Sequence, residues 1–365
     1  MLRASPALAL ALLLCACGSS DEAEPNAGEG VRPSDTVSNT VNAACKPASA
    51  LPEADATAVR LAAESVTEHL RAGQLDAIWD SLHPQARQDD RREAFMAALA
   101  SMQHRLQSGS DAAEVEGVFV VDIDGGASAL ARVRCGADDD PQGFTLLTNA
   151  GNQDVAVATV RSGGDPFGFA TTVQLRRQGA TWKLLGVNVG LDTYRGRDAA
   201  EYEGLADAYV RQQRVVEAYL ALTVAEQLAK RGESIKPDRA LAISDKLDSV
   251  ATSREFQQQL GVWELGGRQY DIQGFSVTAT QSDLSAVVRY VTPTGLIQEA
   301  LDQEADALVG HLKMQHPEIA KRFDAVIFEA YDSEAAAAAP GSNVQAYRTA
   351  RVFKEQPGTP TSRPG

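Results

Sequence analysis

Near residue 110 the apolar residues of this chain change their spacing, and that switch limits the fold more than any other feature. Upstream they recur every three to four positions, as on the buried stripe of a helix. Val59, Ala62, Ala63, Val66 and Leu70 predict a helix over 54–72, and Gly73 stops it. Residues 74–84 predict a short helix or turn ended at Pro84. A third helix is expected over 91–107, with Phe95, Ala98, Leu99 and Met102 facing inward. Downstream the period becomes two. Phe119, Val121 and Ile123 form one apolar face, Gly125-Gly126 turns the chain, and Ala129, Ala131, Val133 and Cys135 form the next. Strands follow over 144–147, 155–161, 167–177 and 182–189. Helices followed by several strands joined by tight turns predict an α+β layer, a curved antiparallel sheet packed on helices.

The second half repeats the mixture in a different order. Asp198 is positioned to cap one long helix reaching residue 231, with Leu205, Tyr209, Val216, Leu220, Val224 and Leu228 as its stripe. Pro237 opens a helix to residue 250, and Ser253 caps a short one. Strands are expected over 262–265, 270–280 and 284–291. Thr294 then caps a helix carrying Ile297, Leu301, Ala305, Leu308 and Leu312, which His316-Pro317 breaks. Residues 324–331 form a nearly continuous apolar run, as in a strand buried on both faces. Residues 335–343 are of low complexity, and 346–354 predict an edge strand. The plan is a signal over 1–16, a flexible tether over 17–50, an α+β domain over 51–195, a second helix-rich α+β domain over 196–354, and a disordered tail over 355–365. No family is recognised in the second domain.

In the first domain a resemblance emerges. The stretch from Ala72-Gly73-Gln74-Leu75 to Ile78-Trp79-Asp80-Ser81-Leu82-His83-Pro84 resembles the joint between the first two helices of the nuclear-transport-factor-2-like (NTF2-like, cystatin-like) superfamily. Leu175-Arg176-Arg177-Gln178-Gly179-Ala180-Thr181-Trp182-Lys183-Leu184 is similar to that superfamily's final hairpin. The resemblance covers about 140 residues and its motifs are loose. It implies a cone-shaped fold whose sheet wraps a helix and often leaves a pocket.

The amino terminus carries a second resemblance. Arg3 precedes an unbroken Leu/Ala run over 8–14, too short to span a bilayer. Leu14-Cys15-Ala16-Cys17-Gly18 resembles the lipobox of bacterial lipoproteins, with Cys15 where Ala or Ser is commoner. The resemblance implies cleavage before Cys17 and its modification by acyl chains such as palmitate. Several chains together hold a protein at a bilayer where one does not. Gly18 is not the Asp that retains such proteins at an inner membrane, so the expected location is the outer membrane facing the periplasm. The membrane is thus the first expected partner.

Export places the two remaining cysteines, Cys45 and Cys135, in an oxidising compartment, where a disulfide between them is expected. Free thiols and intermolecular pairing are the alternatives. The formal charge of −15 argues against nucleic acid, which calls for a basic patch.

The chemistry-bearing residues are sparse. There is no Gly-rich phosphate loop and no nucleophile elbow. His69 lies beside Glu68, His83 in a turn where a surface or helix-stop role is expected, and His104 near a helix end. His311 and His316 are five apart and do not share a helix face, so neither a metal nor another cofactor is expected. Asp122 and Asp124 should face solvent, and Asp138-Asp139-Asp140 should be a solvated loop. Trp79, Phe95, Phe119 and Phe169, with Trp182, are the pocket candidates, although large apolar residues at these spacings usually fill a core. The expected function is non-catalytic: an envelope lipoprotein binding a hydrophobic ligand or a protein partner. An assembly subunit of an envelope complex and an acid–base enzyme using the first domain's pocket are the alternatives. The enzyme requires an unpaired, buried carboxylate facing that pocket.

Overall fold

The computed structural model describes residues 42–107, 113–124, 130–137, 140, 142–149, 154–279, 283–334, 337 and 346–353. Cys17, the signal, Ala129, Asp138, Asp139, the low-complexity loop apart from Ala337, and the tail lie outside them. In chain order come β1 (Asn42–Pro47), α1 (Glu53–Arg71), α2 (Leu75–Ser81), α3 (Arg92–Leu106), β2 (Ala113–Asp124), β3 (Leu130–Cys135) and β4 (Phe144–Asn149). Then come β5 (Val155–Ser162), β6 (Phe167–Gln178), β7 (Thr181–Tyr194), α4 (Ala199–Arg211), α5 (Val215–Ala229), β8 (Ile235–Pro237), α6 (Asp238–Ala251) and α7 (Arg254–Gln257). The chain closes with β9 (Gly261–Leu265), β10 (Arg268–Ala279), β11 (Leu284–Val291), α8 (Gln298–Gln315), α9 (Pro317–Arg322), β12 (Ala325–Tyr331) and β13 (Tyr347–Val352). No described helix is long and apolar enough to cross a membrane.

The fold is α+β. One sheet, in the order β1-β2-β5-β6-β7, is antiparallel throughout. A second, β13-β12-β11-β10-β9, is antiparallel except for the β11–β12 pair. A third, small sheet has the order β3-β4-β8.

Alternation along β2 and β5 gives the first sheet two apolar faces. Val118, Val120, Ala156, Ala158 and Val160 point to Val59, Ala63, Val66 and Leu70 of α1. Phe119, Val121, Val155 and Val157 point the other way, onto Ala131, Val133, Cys135, Phe144, Leu146 and Ile235 of the small sheet. The first sheet is therefore sandwiched between helices and a second layer of strands. Asp122, whose neighbours face inward, is exposed as expected; the side chain of Asp124 lies outside the described set.

Four expectations are corrected. The last part of the expected tether is strand β1, which pairs with β2 from Asn42↔Asp124 to Pro47↔Phe119. Its sequence carries little apolar surface, and a bond from Cys45 to Cys135 fastens it. The expected disulfide is thus formed, with its sulfurs joining the first sheet to the small one. The single long helix over 198–231 is two helices, α4 and α5, packed as a hairpin. Its break falls at Gln213, whose φ is 59°. Gln213 N–H donates to Val210 O and Arg214 N–H to Tyr209 O, closing α4 with no glycine or proline. Thr294 does not cap α8, which starts four residues later; its hydroxyl donates to the buried Glu304 carboxylate at 2.6 Å. Finally, His83 is buried rather than at the surface.

Chain order does not respect a boundary at residue 195. Strand β8 returns from the second half to pair with β4, Leu146↔Ile235 and Phe144↔Pro237. One hydrophobic cluster runs from α1 through α5 into β10, β11 and α8. Helix α5 is apolar on nearly every side, from Val216 to Ala229, as a helix enclosed between layers must be. At the junction Asp324 accepts from the Tyr194 hydroxyl (2.6 Å) and the Leu284 N–H (2.9 Å), and pairs with Arg195.

Candidate functional site

The candidate site forms where the small sheet stops covering the large one. Along β5 the residues on this face run Val155, Val157, Thr159, Arg161, and along β2 they run Val121, Phe119, Gly117, with Glu116 at a bulge. Each strand thus passes from apolar to charged in the same direction. On the opposite wall Phe144 of β4 and Ile235 of β8 cover the apolar end, and Phe144 meets Phe119 edge-on at 5.1 Å. Past Phe144 the wall continues as Gln142, and past β8 as Asp238 and Arg239 at the start of α6. The Asp238 N–H donates to Gly143 O at 3.0 Å, holding these two segments side by side. The third wall is the end of α5 (Leu228, Ala229, then Arg231) with Asp198, Ala199 and Ala200 at the start of α4.

These elements enclose a cavity of about 300 Å³. Gly117 leaves room on its floor. At Gly190 a Cβ would come within 3.0 Å of the Lys230 carbonyl, so glycine there permits α5 to close against β7.

A chain of ion pairs crosses the charged end. Glu116 pairs with Arg161 at 2.7 Å, Arg161 with Asp192 at 3.1 Å, and Asp192 with Arg231 at 2.6 Å. The Asp192–Arg231 end is the buried one: Asp192 is 7% exposed and Arg231 15%, against 44% for Arg161. Arg231 also donates to Leu228 O at 2.7 Å, which ties the end of α5 to the network. Burial lowers the pKa of Arg231, against the opposing pull of Asp192. Burial raises the pKa of Glu116, opposed first by Arg161. Asp198 is engaged as the cap of α4, its Oδ1 accepting from Glu201 N–H at 2.9 Å. Asp238 pairs with Arg134. Arg239 is half-buried and has no ion-pair partner among the described residues.

The residues singled out in the sequence are scattered by comparison. Trp79 and Phe169 are buried in the main core, on the helix side of the sheet. Phe95 is half-buried against Trp79 at 5.6 Å, and the Arg87 and Arg92 guanidiniums lie over the Trp79 ring. Trp182 is half-buried under Arg177. Phe119 alone of the candidates lines this cavity, and it does so from the opposite face of the sheet. His69 bonds Gln74 on the surface, and His104 is exposed. His83 accepts the Gln85 N–H at Nδ1, and its pKa is lowered by burial and then by Arg176. His316 bonds the buried Glu217 at 3.2 Å, while His311 lies 4.7 Å from the Trp263 ring.

Sequence reasoning missed Glu116, Gln142, Arg161, Asp192, Arg231 and Arg239. On a single strand, a Gly-x-Asn-x-Gly-x-Asp alternation over 186–192 reads as a solvent face. It becomes interior only because α5 folds across it. Comparison with protein-family models, with curated proteins and with solved structures found no match for this chain.

Proposed function

We propose that this chain is an envelope lipoprotein, held at a membrane by acyl groups on Cys17, and that its folded part binds a small, partly apolar molecule without transforming it. The cavity between the two sheets carries the binding half of this reading. Its volume, about 300 Å³, sits at the lower end of the range of small-molecule pockets. Its combination of aromatic walls with a few placed charges is what such pockets share.

The carboxylates favour binding over catalysis. Glu116 and Asp192 are held by arginines and Asp198 by the helix it caps. A general acid or base needs a carboxylate free to reach the reacting proton. The anchor half rests on the lipobox-like Leu14-Cys15-Ala16-Cys17, and an outer-membrane, periplasm-facing location rests on Gly18.

We read residues 51–195 as an NTF2-like domain and residues 196–354 as a second α+β domain. An antiparallel sheet with α1 laid along one face, ending in the long β6–β7 hairpin, supports the first part. The departure of β3 and β4 into a separate sheet with β8 sets this domain apart from a simple cone, and puts the cavity on the outer face of the sheet.

Two measurements test the reading. Palmitate labelling and membrane fractionation should both be lost on Cys17→Ser, and normal labelling of the variant rejects the anchor. Native mass spectrometry of the protein from its own source should show a bound small molecule. Gly117→Val, which puts a side chain on the cavity floor where the backbone accepts one, should release that molecule while leaving the fold intact. Equal occupancy in the variant rejects the cavity as the binding site.

A further inference from the structure

We propose that the molecule this cavity accepts is an amphipathic anion. Its acyl-like tail lies between Phe119, Phe144 and Ile235, and its anionic head meets Arg239. The inference rests on the reading of the cavity as a ligand site and goes further by assigning the ligand's charge and direction.

Direction follows from matched gradients. The floor turns from Phe119 and Val157 to Glu116 and Arg161 along the strands. The wall opposite turns from Phe144 and Ile235 to Gln142 and Arg239 in the same direction. A Cβ on Gly117 would lie 3.5 Å from the Gln142 amide oxygen, so the polar ends of floor and wall face each other. A ligand polar at both ends would leave one of them against unmatched apolar groups.

Charge follows from pairing. Three cations and three carboxylates line the space. Glu116 is taken by Arg161, Asp192 by Arg231, and Asp198 by the N–H groups of α4. What remains is Arg239. It sits in the first turn of α6, where the helix dipole disfavours a cation, and it is half-buried with no ion-pair partner among the described residues. A guanidinium placed there suits a carboxylate or phosphate oxygen pair. A cavity of about 300 Å³, at the lower end of small-molecule pockets, makes an eight-carbon chain with one polar head a suitable probe.

The test is calorimetric titration of the full chain in lipid nanodiscs, with empty discs as the blank, using octanoate, 1-octanol and octylamine at neutral pH. Octanoate should bind about tenfold more tightly than either of the others, and Arg239→Gln should remove that preference. Octanol or octylamine binding as tightly as octanoate overturns the anion assignment and leaves the cavity standing as a ligand site. A preference for octanoate that survives Arg239→Gln overturns the role given to Arg239. Failure of all three probes to bind overturns both this inference and the reading beneath it.

Discussion

Removing the Cys45–Cys135 bond should cost the protein several kcal/mol, and the structure indicates where the loss appears. The bond closes a loop spanning a sequence separation of 90 residues. Restricting an unfolded chain with a loop that long is worth about 4–5 kcal/mol in the chain-entropy description, as a ceiling. The native side offers little to replace it. β1 is an edge strand of six residues, anchored by its pairing with β2 and by the half-buried Ala43 and Cys45. Ordering each of its residues costs about 1–2 kcal/mol of backbone entropy. The bond also fixes the small sheet over the large one, because Cys45 pairs across from Val121 and Cys135 from Phe144. The perturbation is the double substitution Cys45→Ala with Cys135→Ala, since serine would bury a hydroxyl where Cys135 has no exposure. Urea unfolding of the oxidised protein and the variant should differ by about 3–5 kcal/mol. Hydrogen exchange should show the amides of β1 losing protection before those of β5. A difference below about 1 kcal/mol, with β1 as protected as before, would refute the reasoning.

The helix break at Gln213 makes a prediction of opposite sign. Left-handed backbone is strained for a residue with a Cβ, so Gln213→Gly should stabilise the protein by roughly 0.5–1 kcal/mol in thermal unfolding, and an unchanged or lowered Tm would mean the strain is absent. His83 should introduce acid sensitivity. Its folded pKa lies below the model-peptide value of 6.5, and its Nδ1 accepts the Gln85 N–H only while the ring is neutral. The stability it contributes is therefore present above pH 6.5 and lost as pH falls through the depressed folded value. An NMR titration of the His83 ring with a midpoint at or above 6.5 contradicts this.

Much of the fold was legible because period carries it. The α1 stripe and the alternation in β2, β5, β6 and β10 each repeat often enough to declare themselves. Two cysteines in a chain read as exported were enough to expect the bond. What was not legible is of two kinds. Strands β1 and β8 are too short or too polar to show a period, and each exists because a partner holds it: a disulfide for one, β4 for the other. The α4–α5 break carries no glycine or proline, so it reads as continuous helix until Gln213 is seen with positive φ. Of the expected pocket residues, Trp79 and Phe169 complete the core on the helix side of the sheet, and Phe119 lines the cavity on the other. The cavity draws Glu116, Arg161, Asp192, Arg231 and Arg239 from five separate segments, and no local pattern joins them.

The position of the cavity follows from a conflict between covering the large sheet and satisfying its charges. Its outer face is apolar only over the stretch from Ile123 and Val155 to Phe119 and Val157, and the small sheet covers about that much. Beyond it lie Gly117, Thr159, Glu116, Arg161 and Asp192. Continuing β3 and β4 over them would bury an arginine and two carboxylates in a setting where pairing seldom repays the loss of water. Packing α5 over the β7 end resolves half of the conflict, because Arg231 arrives with it to meet Asp192. The other half stays open beside the half-exposed Arg161 and Arg239, and a cavity that is apolar between Phe119, Phe144 and Ile235 and charged toward Arg161 and Arg239 is what remains.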